Sequence, residues 1–119
     1  MARVKSKSIY YHYGDNFNDI AVVWKDANGT PIDLTDYTST FEAKDSSGNT
    51  VLKLIQGDGL TITAASGRVD LSASPTKMTS STIQEGEKYS YDWQVKSSDG
   101  SVIKTLLKGD LIIDAQVAT

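Results

Sequence analysis

The sequence predicts an all-β chain, an antiparallel β-sandwich with one short helical turn. Three observations carry this. First, Tyr89, Tyr91, Trp93 and Val95 alternate with Ser90, Asp92, Gln94 and Lys96, the period of a strand with one buried face and one wet face. Second, Ser98-Asp99-Gly100-Ser101 follows, and Asp-Gly between two strand-like runs is a strong hairpin signal, here for a type I′ turn. Third, short alternating runs separated by Gly, Asp, Asn and Ser recur along the whole chain, the rhythm of a sandwich or barrel.

The elements follow in order. Residues 1–13 form a basic, tyrosine-rich arm: Arg3, Lys5 and Lys7, then Tyr10, Tyr11, His12 and Tyr13. Two readings stand for it, a first edge strand or a segment that docks on a neighbouring subunit. Residues 14–119 make the sandwich. Phe17 to Lys25 is the first clear strand, with Ile20, Val22 and Trp24 on one face. Asp26–Gly29 turns, and Pro31 bars the next extended stretch from a central ladder position. Tyr37 to Lys44 alternates again, with Tyr37, Ser39, Phe41 and Ala43 together. Asp45–Asn49 turns into a short strand, Val51 to Ile55. Gly57–Gly59 leads to Leu60–Thr63, and Ser66-Gly67 to Arg68–Ser72. Ser74-Pro75 opens the one helical turn, since Ser is a good N-cap and Pro suits the first helical position. That turn is expected to end by about Ile83. The long hairpin follows, with Gly109 interrupting its second strand and Asp110 to Val117 closing the chain.

A helical link ahead of a tyrosine-rich strand is the corner arrangement of immunoglobulin-like sandwiches, where a tyrosine hydroxyl bonds back to the preceding backbone. Tyr89 is the candidate for that role, and an ordinary core tyrosine is the other reading.

Composition narrows the function. The 119 residues suit one domain with one modest core. There is no cysteine and one histidine, so neither disulfides nor a structural zinc site of the usual ligands is expected. A formal charge of −3 opposes general nucleic-acid binding, which needs a basic face. No apolar run follows the basic start, so no secretory signal is expected, and no stretch has the length of a membrane helix. Motifs of nucleophilic, phosphate-binding and zinc-hydrolase chemistry are missing. The pairs Asp58 with Asp70 and Asp33 with Asp36 are what 15 acidic residues produce by chance rather than an acid and base for sugar cleavage. Asp26–Gly29 and Asp45–Asn49 offer oxygen ligands, but ordinary turns need the same residues. The expectation is therefore no enzyme, no cofactor and no metal.

The order of motifs carries a resemblance. Gly67-Arg68-Val69-Asp70-Leu71-Ser72 precedes Gly86-Glu87-Lys88-Tyr89-Ser90-Tyr91-Asp92-Trp93-Gln94-Val95 and then Asp99-Gly100-Ser101-Val102-Ile103-Lys104-Thr105-Leu106-Leu107-Lys108-Gly109-Asp110-Leu111-Ile112-Ile113. Gly14-Asp15-Asn16-Phe17 and Asp26-Ala27-Asn28-Gly29-Thr30-Pro31-Ile32-Asp33-Leu34-Thr35 come before them. Over residues 14–113 this resembles small immunoglobulin-like structural proteins of tailed bacteriophages and the N-terminal domain of phage baseplate upper proteins. The ending from Asp114 to Thr119 departs from the Asp-Val-Thr close associated with such proteins. The resemblance implies a non-catalytic virion building block of baseplate, tail, neck or capsid, assembled in the host cytoplasm. Its implied partners are other virion proteins and further copies of the chain, with neither nucleic acid nor membrane. The residues expected at protein contacts are Arg3, Lys5, Lys7, Tyr10, Tyr11 and Tyr13. Removing residues 1–13 is expected to leave a folded domain that no longer assembles. The alternative function is a carbohydrate-binding or adhesin-type module, which would need an exposed aromatic platform.

Overall fold

The computed structural model describes residues 5–79 and 81–114. Its strands are β1 (Lys5–Ser6), β2 (Ile9–His12), β3 (Phe17–Val23), β4 (Tyr37–Lys44), β5 (Thr50–Gln56), β6 (Gly59–Thr63), β7 (Arg68–Ala73), β8 (Lys88–Ser97) and β9 (Ile103–Asp114). A 3₁₀ turn at Ala64–Ser66 and helix α1 (Pro75–Thr79) complete it. Hydrogen-bonded neighbours run β1-β9-β8-β4-β5-β6-β7-β3, with β2 also on β9. The path folds back on itself into two layers, a β-sandwich of barrel-like form. Phe17 of β3 meets Phe41 of β4 across it, ring centroids 5.9 Å apart.

The alternation read from the sequence sets the buried faces. Tyr89, Tyr91, Trp93 and Val95 of β8 are buried, as are Ser39, Phe41 and Ala43 of β4. From the second layer come Leu60, Val69, Leu71 and Ala73. Phe41 stacks on Tyr91 at 5.0 Å and meets Trp93 edge-on at 5.7 Å. The Trp93 indole N–H donates to the Ser39 hydroxyl (3.1 Å), which donates to the Gln94 carbonyl (2.9 Å). A buried indole and a buried hydroxyl therefore satisfy each other, as polar groups in a core must.

Three expectations need correction, and the two readings of the arm narrow to one. The sandwich is not wholly antiparallel: β1 and β2 run parallel to β9, and β5 to β6. The hairpin turn is not type I′. Among the described non-glycine residues only Asp36 has positive φ, so Asp99 does not. Gly100 (φ 77°) takes the left-handed position and donates its N–H to the Ser97 carbonyl (3.0 Å). The Asp99 carboxylate instead accepts from the Ser101 N–H and the Ser97 and Ser101 hydroxyls. Those bonds, the Ser101 N–H first, pull its pKa down to about 2.

Third, Gly109 does not interrupt a strand; β9 runs through it. With φ 149°, its missing side chain leaves room for the arm to cross, and a Cβ there would collide with the Lys7 carbonyl oxygen. Of the two readings of the arm, the edge strand holds: β1 and β2 lie on β9 at the end of the strand path, with their inward residues in the core. Ile9 pairs with Leu111 and Tyr11 with Ile113, and both Ile9 and Tyr11 are buried. The Tyr91 hydroxyl donates to the Lys7 carbonyl at 2.6 Å, which fixes the arm where it crosses Gly109. Deleting residues 1–13 would take Ile9 and Tyr11 out of the core, so unfolding, rather than a folded domain that no longer assembles, is the outcome now expected.

Two end features match the sequence reading. The Lys77 N–H donates to the Ser74 hydroxyl (3.1 Å), the bond of an N-cap. The Tyr89 hydroxyl accepts from the Gln84 N–H (3.0 Å), five residues upstream, which is the corner arrangement. The expected continuation of the last strand to Val117 lies outside the described residues.

Candidate protein-contact site

The two ends of the strand path meet at a seam. Among the described residues β3 has a partner, β7, on one side only, and the arm has β9 on one side only. Ladder alternation then fixes which backbone groups face out. Trp24 donates its N–H to the Gly67 carbonyl (2.9 Å), in register with Val22 opposite Val69 and Ile20 opposite Leu71. These residues bond toward β7, so Ala21 and Val23 direct N–H and C=O away from it. On the arm, Lys7 donates to the Lys108 carbonyl (2.9 Å) and Tyr13 to the Asp114 carbonyl (3.0 Å). Ser8 and Tyr10 are out of phase with these and turn their backbone groups away from β9.

Between these two edges lies a groove of about 620 Å³. Its walls are Lys7 to Tyr10 on one side and Ile20 to Val23 on the other, with Leu106 and Leu107 of β9 below. A bulge between Trp93 and Gln94 of the β8–β9 ladder adds one residue to β9, which brings two successive leucines to this floor. Tyr10 is 65% exposed and Val23 45%. Lys7 and Lys25 stand at the rim, and among the described residues no acidic side chain lines the groove. Neither lysine makes an ion pair among the described residues.

The predicted contact residues separate here. Lys7 and Tyr10 are exposed at the groove. Tyr11 is 2% exposed and belongs to the core. Its hydroxyl donates to the Asp15 carbonyl (2.7 Å), and burial pushes its pKa up. Tyr13 is half-buried against the core. Lys5 lies in β1, and Arg3 falls outside the described residues. The contribution of β3 was missed. Its signal was Ala21 and Val23, two apolar residues on the face opposite Ile20, Val22 and Trp24.

Asp26, Asp33, Asp45, Asp58 and Asp70, all weighed for chemistry, are each engaged. Asp58 pairs with Lys77 (2.8 Å) and Asp70 with Arg68 (2.9 Å). Asp33 accepts from the Thr35 hydroxyl (2.6 Å) and N–H (2.9 Å), and the hydroxyl bond leads in lowering its pKa. Asp26 accepts from the N–H groups of Asn28 and Thr30, and Asp45 from those of Ser47 and Asn49. These are turn bonds, each pair accepted by one carboxylate oxygen, the ordinary use of Asp in such loops. Among the described residues no three of His, Cys, Asp and Glu are grouped to hold a metal, and no helix is long and apolar enough to cross a membrane.

No protein-family model matches the sequence, and no curated protein matches it. Among solved structures the chain is similar to CopC from Methylosinus trichosporium OB3b, at 18% identity over 87% of this chain and 98% of that one, with a TM-score of 0.39. Likeness at that level transfers no function, so the functional reading rests on the residues of the seam.

Proposed function

We propose that this chain is a non-enzymatic structural protein of a tailed-phage virion, a component of baseplate, tail, neck or capsid that works by protein–protein assembly. The observation that supports this best is the seam, where two unpaired strand edges flank an apolar groove beside exposed Tyr10 and Val23. Unpaired edges are templates for another chain, and exposed aromatic area is what protein interfaces use. The resemblance of the turn and strand motifs to phage structural proteins supports the virion setting. The chain would then join the virion in the host cytoplasm, beside other virion proteins and copies of itself.

The carbohydrate-binding alternative draws no support from the aromatic residues. Trp93 is fully buried, and Trp24 is half-buried edge-on to Tyr37 (6.3 Å). Tyr10 stands without a second exposed aromatic residue among those described. The test is direct. Tailed particles purified from lysates of cells that make this chain are expected to contain it, in several copies per particle by quantitative mass spectrometry. A chain that stays wholly in the particle-free fraction would refute the proposal.

A further inference from the structure

We infer that the seam is a strand-receiving slot for an extended, acid-flanked segment of another protein, seated between the arm and β3. This rests on the assembly reading only in taking the partner to be a protein.

Shape comes first. The groove is bounded on both long sides by backbone whose N–H and C=O groups face it with no partner among the described residues, those of Ser8 and Tyr10 opposite those of Ala21 and Val23. A compact small molecule could fill the volume but would leave most of these groups to water. An extended chain presents the same donors and acceptors at the same repeat of about 3.3 Å per residue, and so pairs with them in series. The floor adds side-chain selection. Half-buried Ile20, Val22 and Leu106 offer apolar contact to every second residue of an inserted strand.

Charge selects the partner. The chain carries 15 acidic residues against 12 basic ones, yet among the described residues the charged ones lining the groove are Lys7 and Lys25. Acidic residues at the ends of an inserted strand would meet these ammonium groups at the mouth, where charges set encounter rate and register. The same lysines argue against a second copy. The ends of the strand path are the arm and β3, so edge-to-edge pairing of two copies sets lysine against lysine. Like charges across a joint are a recognised defence against self-pairing.

The experiment uses the full chain and two synthetic octapeptides of alternating valine and threonine, one with aspartate at both ends and one with lysine. Binding is followed by titration, and amide hydrogen exchange is read by NMR. The aspartate-ended peptide is expected to bind more tightly and to slow exchange at Ala21 and Val23, at Ser8 and Tyr10, or at both pairs. Lys7→Glu with Lys25→Glu is expected to weaken it about tenfold at low salt. Ala21→Pro is expected to abolish binding while sparing the β3–β7 ladder, because the lost N–H faces the groove. The charge variants read the same site should the proline variant not fold. Equal binding of the two peptides, no binding, or protection elsewhere overturns the slot. So does self-association that protects these same amides without peptide. Tailed particles that take up the Ala21→Pro chain as well as the parent would overturn the slot and leave the assembly role standing. Seating of the aspartate-ended peptide by a chain absent from particles would support the slot and refute the virion setting.

Discussion

β8 and β3 obey the same rule along their length and differ at their edges. Each alternates apolar and polar residues or inward and outward ones. β8 is paired to β4 on one side, from Ser90 to Ser97, and to β9 on the other, from Lys88 to Lys96. β3 is paired on one side, to β7, with a register shift between Phe17 and Ile20. Alternation tells which face of a strand is buried, because side chains point up or down. It says nothing about which edge is covered, because edge groups are backbone and identical in every strand. Edges are settled by which other strands arrive, often from far along the chain. The closed strand therefore became the core, and the half-open one became the candidate contact.

The arm is what holds the two regions apart in kind, and removing it has the largest expected effect. Deleting residues 1–13 takes away Ile9 and Tyr11, two buried side chains. Truncating one such aliphatic residue costs about 2–5 kcal/mol and one aromatic about 3–5 kcal/mol. Together these approach the whole stability of a typical domain, about 5–15 kcal/mol. The truncated chain is expected to lose its near-ultraviolet circular dichroism, which reports Trp93 and the packed tyrosines. A truncated chain that melts like the parent would mean that the arm merely lies on β9.

Gly109→Ala tests the same attachment at one atom. The new Cβ meets the Lys7 backbone, and the backbone conformation at φ 149° is strained for alanine. The strain alone costs about 1–3 kcal/mol. Lys7, Ile9 and Tyr11 amides are expected to exchange faster, while β8 amides bonded to β4 keep their protection. Equal protection across both groups would show that the arm has another way past Gly109.

Much of this was legible in the sequence, and the failures share a cause. Tyr37–Lys44 and the inward set Tyr89, Tyr91, Trp93 and Val95 were read from local alternation, and burial follows it. Ser74 and Tyr89 were read from local chemistry, and their bonds close over three and five residues. The arm was left between two fates because its partner strand lies near the other end of the chain, Ile9 against Leu111. Gly109 looked like a break because its reason is the Lys7 carbonyl, which no local pattern contains. The Asp-Gly turn failed differently. Three side-chain and backbone donors hold the Asp99 carboxylate over its own loop, and that satisfies the turn without a positive φ at Asp99.

Tyr91 sharpens the comparison through pH. Burial, with the Asp110 charge second, pushes its hydroxyl up to about 12 from an ordinary 10.0. A raised acid pKa means that the folded state holds the proton more tightly than the unfolded chain. The stabilisation is complete below pH 10.0 and is lost as pH rises toward about 12. Ionisation also removes the donor to the Lys7 carbonyl. Tyr91→Phe is expected to cost about 1 kcal/mol near neutrality, the usual net worth of one hydrogen bond. It should also flatten the alkaline fall in stability, leaving the smaller part due to Tyr11, whose pKa burial also raises. An unchanged alkaline slope would place the titration elsewhere.

The smallest effect, expected at Val23, is the most telling when set beside Val95, because one chemical change can be made in both strands. Val→Thr keeps the side-chain shape and adds a hydroxyl. At Val95 of β8, fully buried, the hydroxyl enters a dry core and costs about 1–3 kcal/mol in chemical denaturation. At Val23 of β3, 45% exposed beside the groove, the same change is expected to stay within about 0.5 kcal/mol. Threonine is also at home in a strand, so neither substitution disturbs backbone preference. A selective loss at Val95 would mean that β3 is held by one edge and its inward face alone, with Val23 free for a partner. Comparable losses at both positions would mean that Val23 already packs within the domain, and the open seam would then have to be sought elsewhere along the strand path.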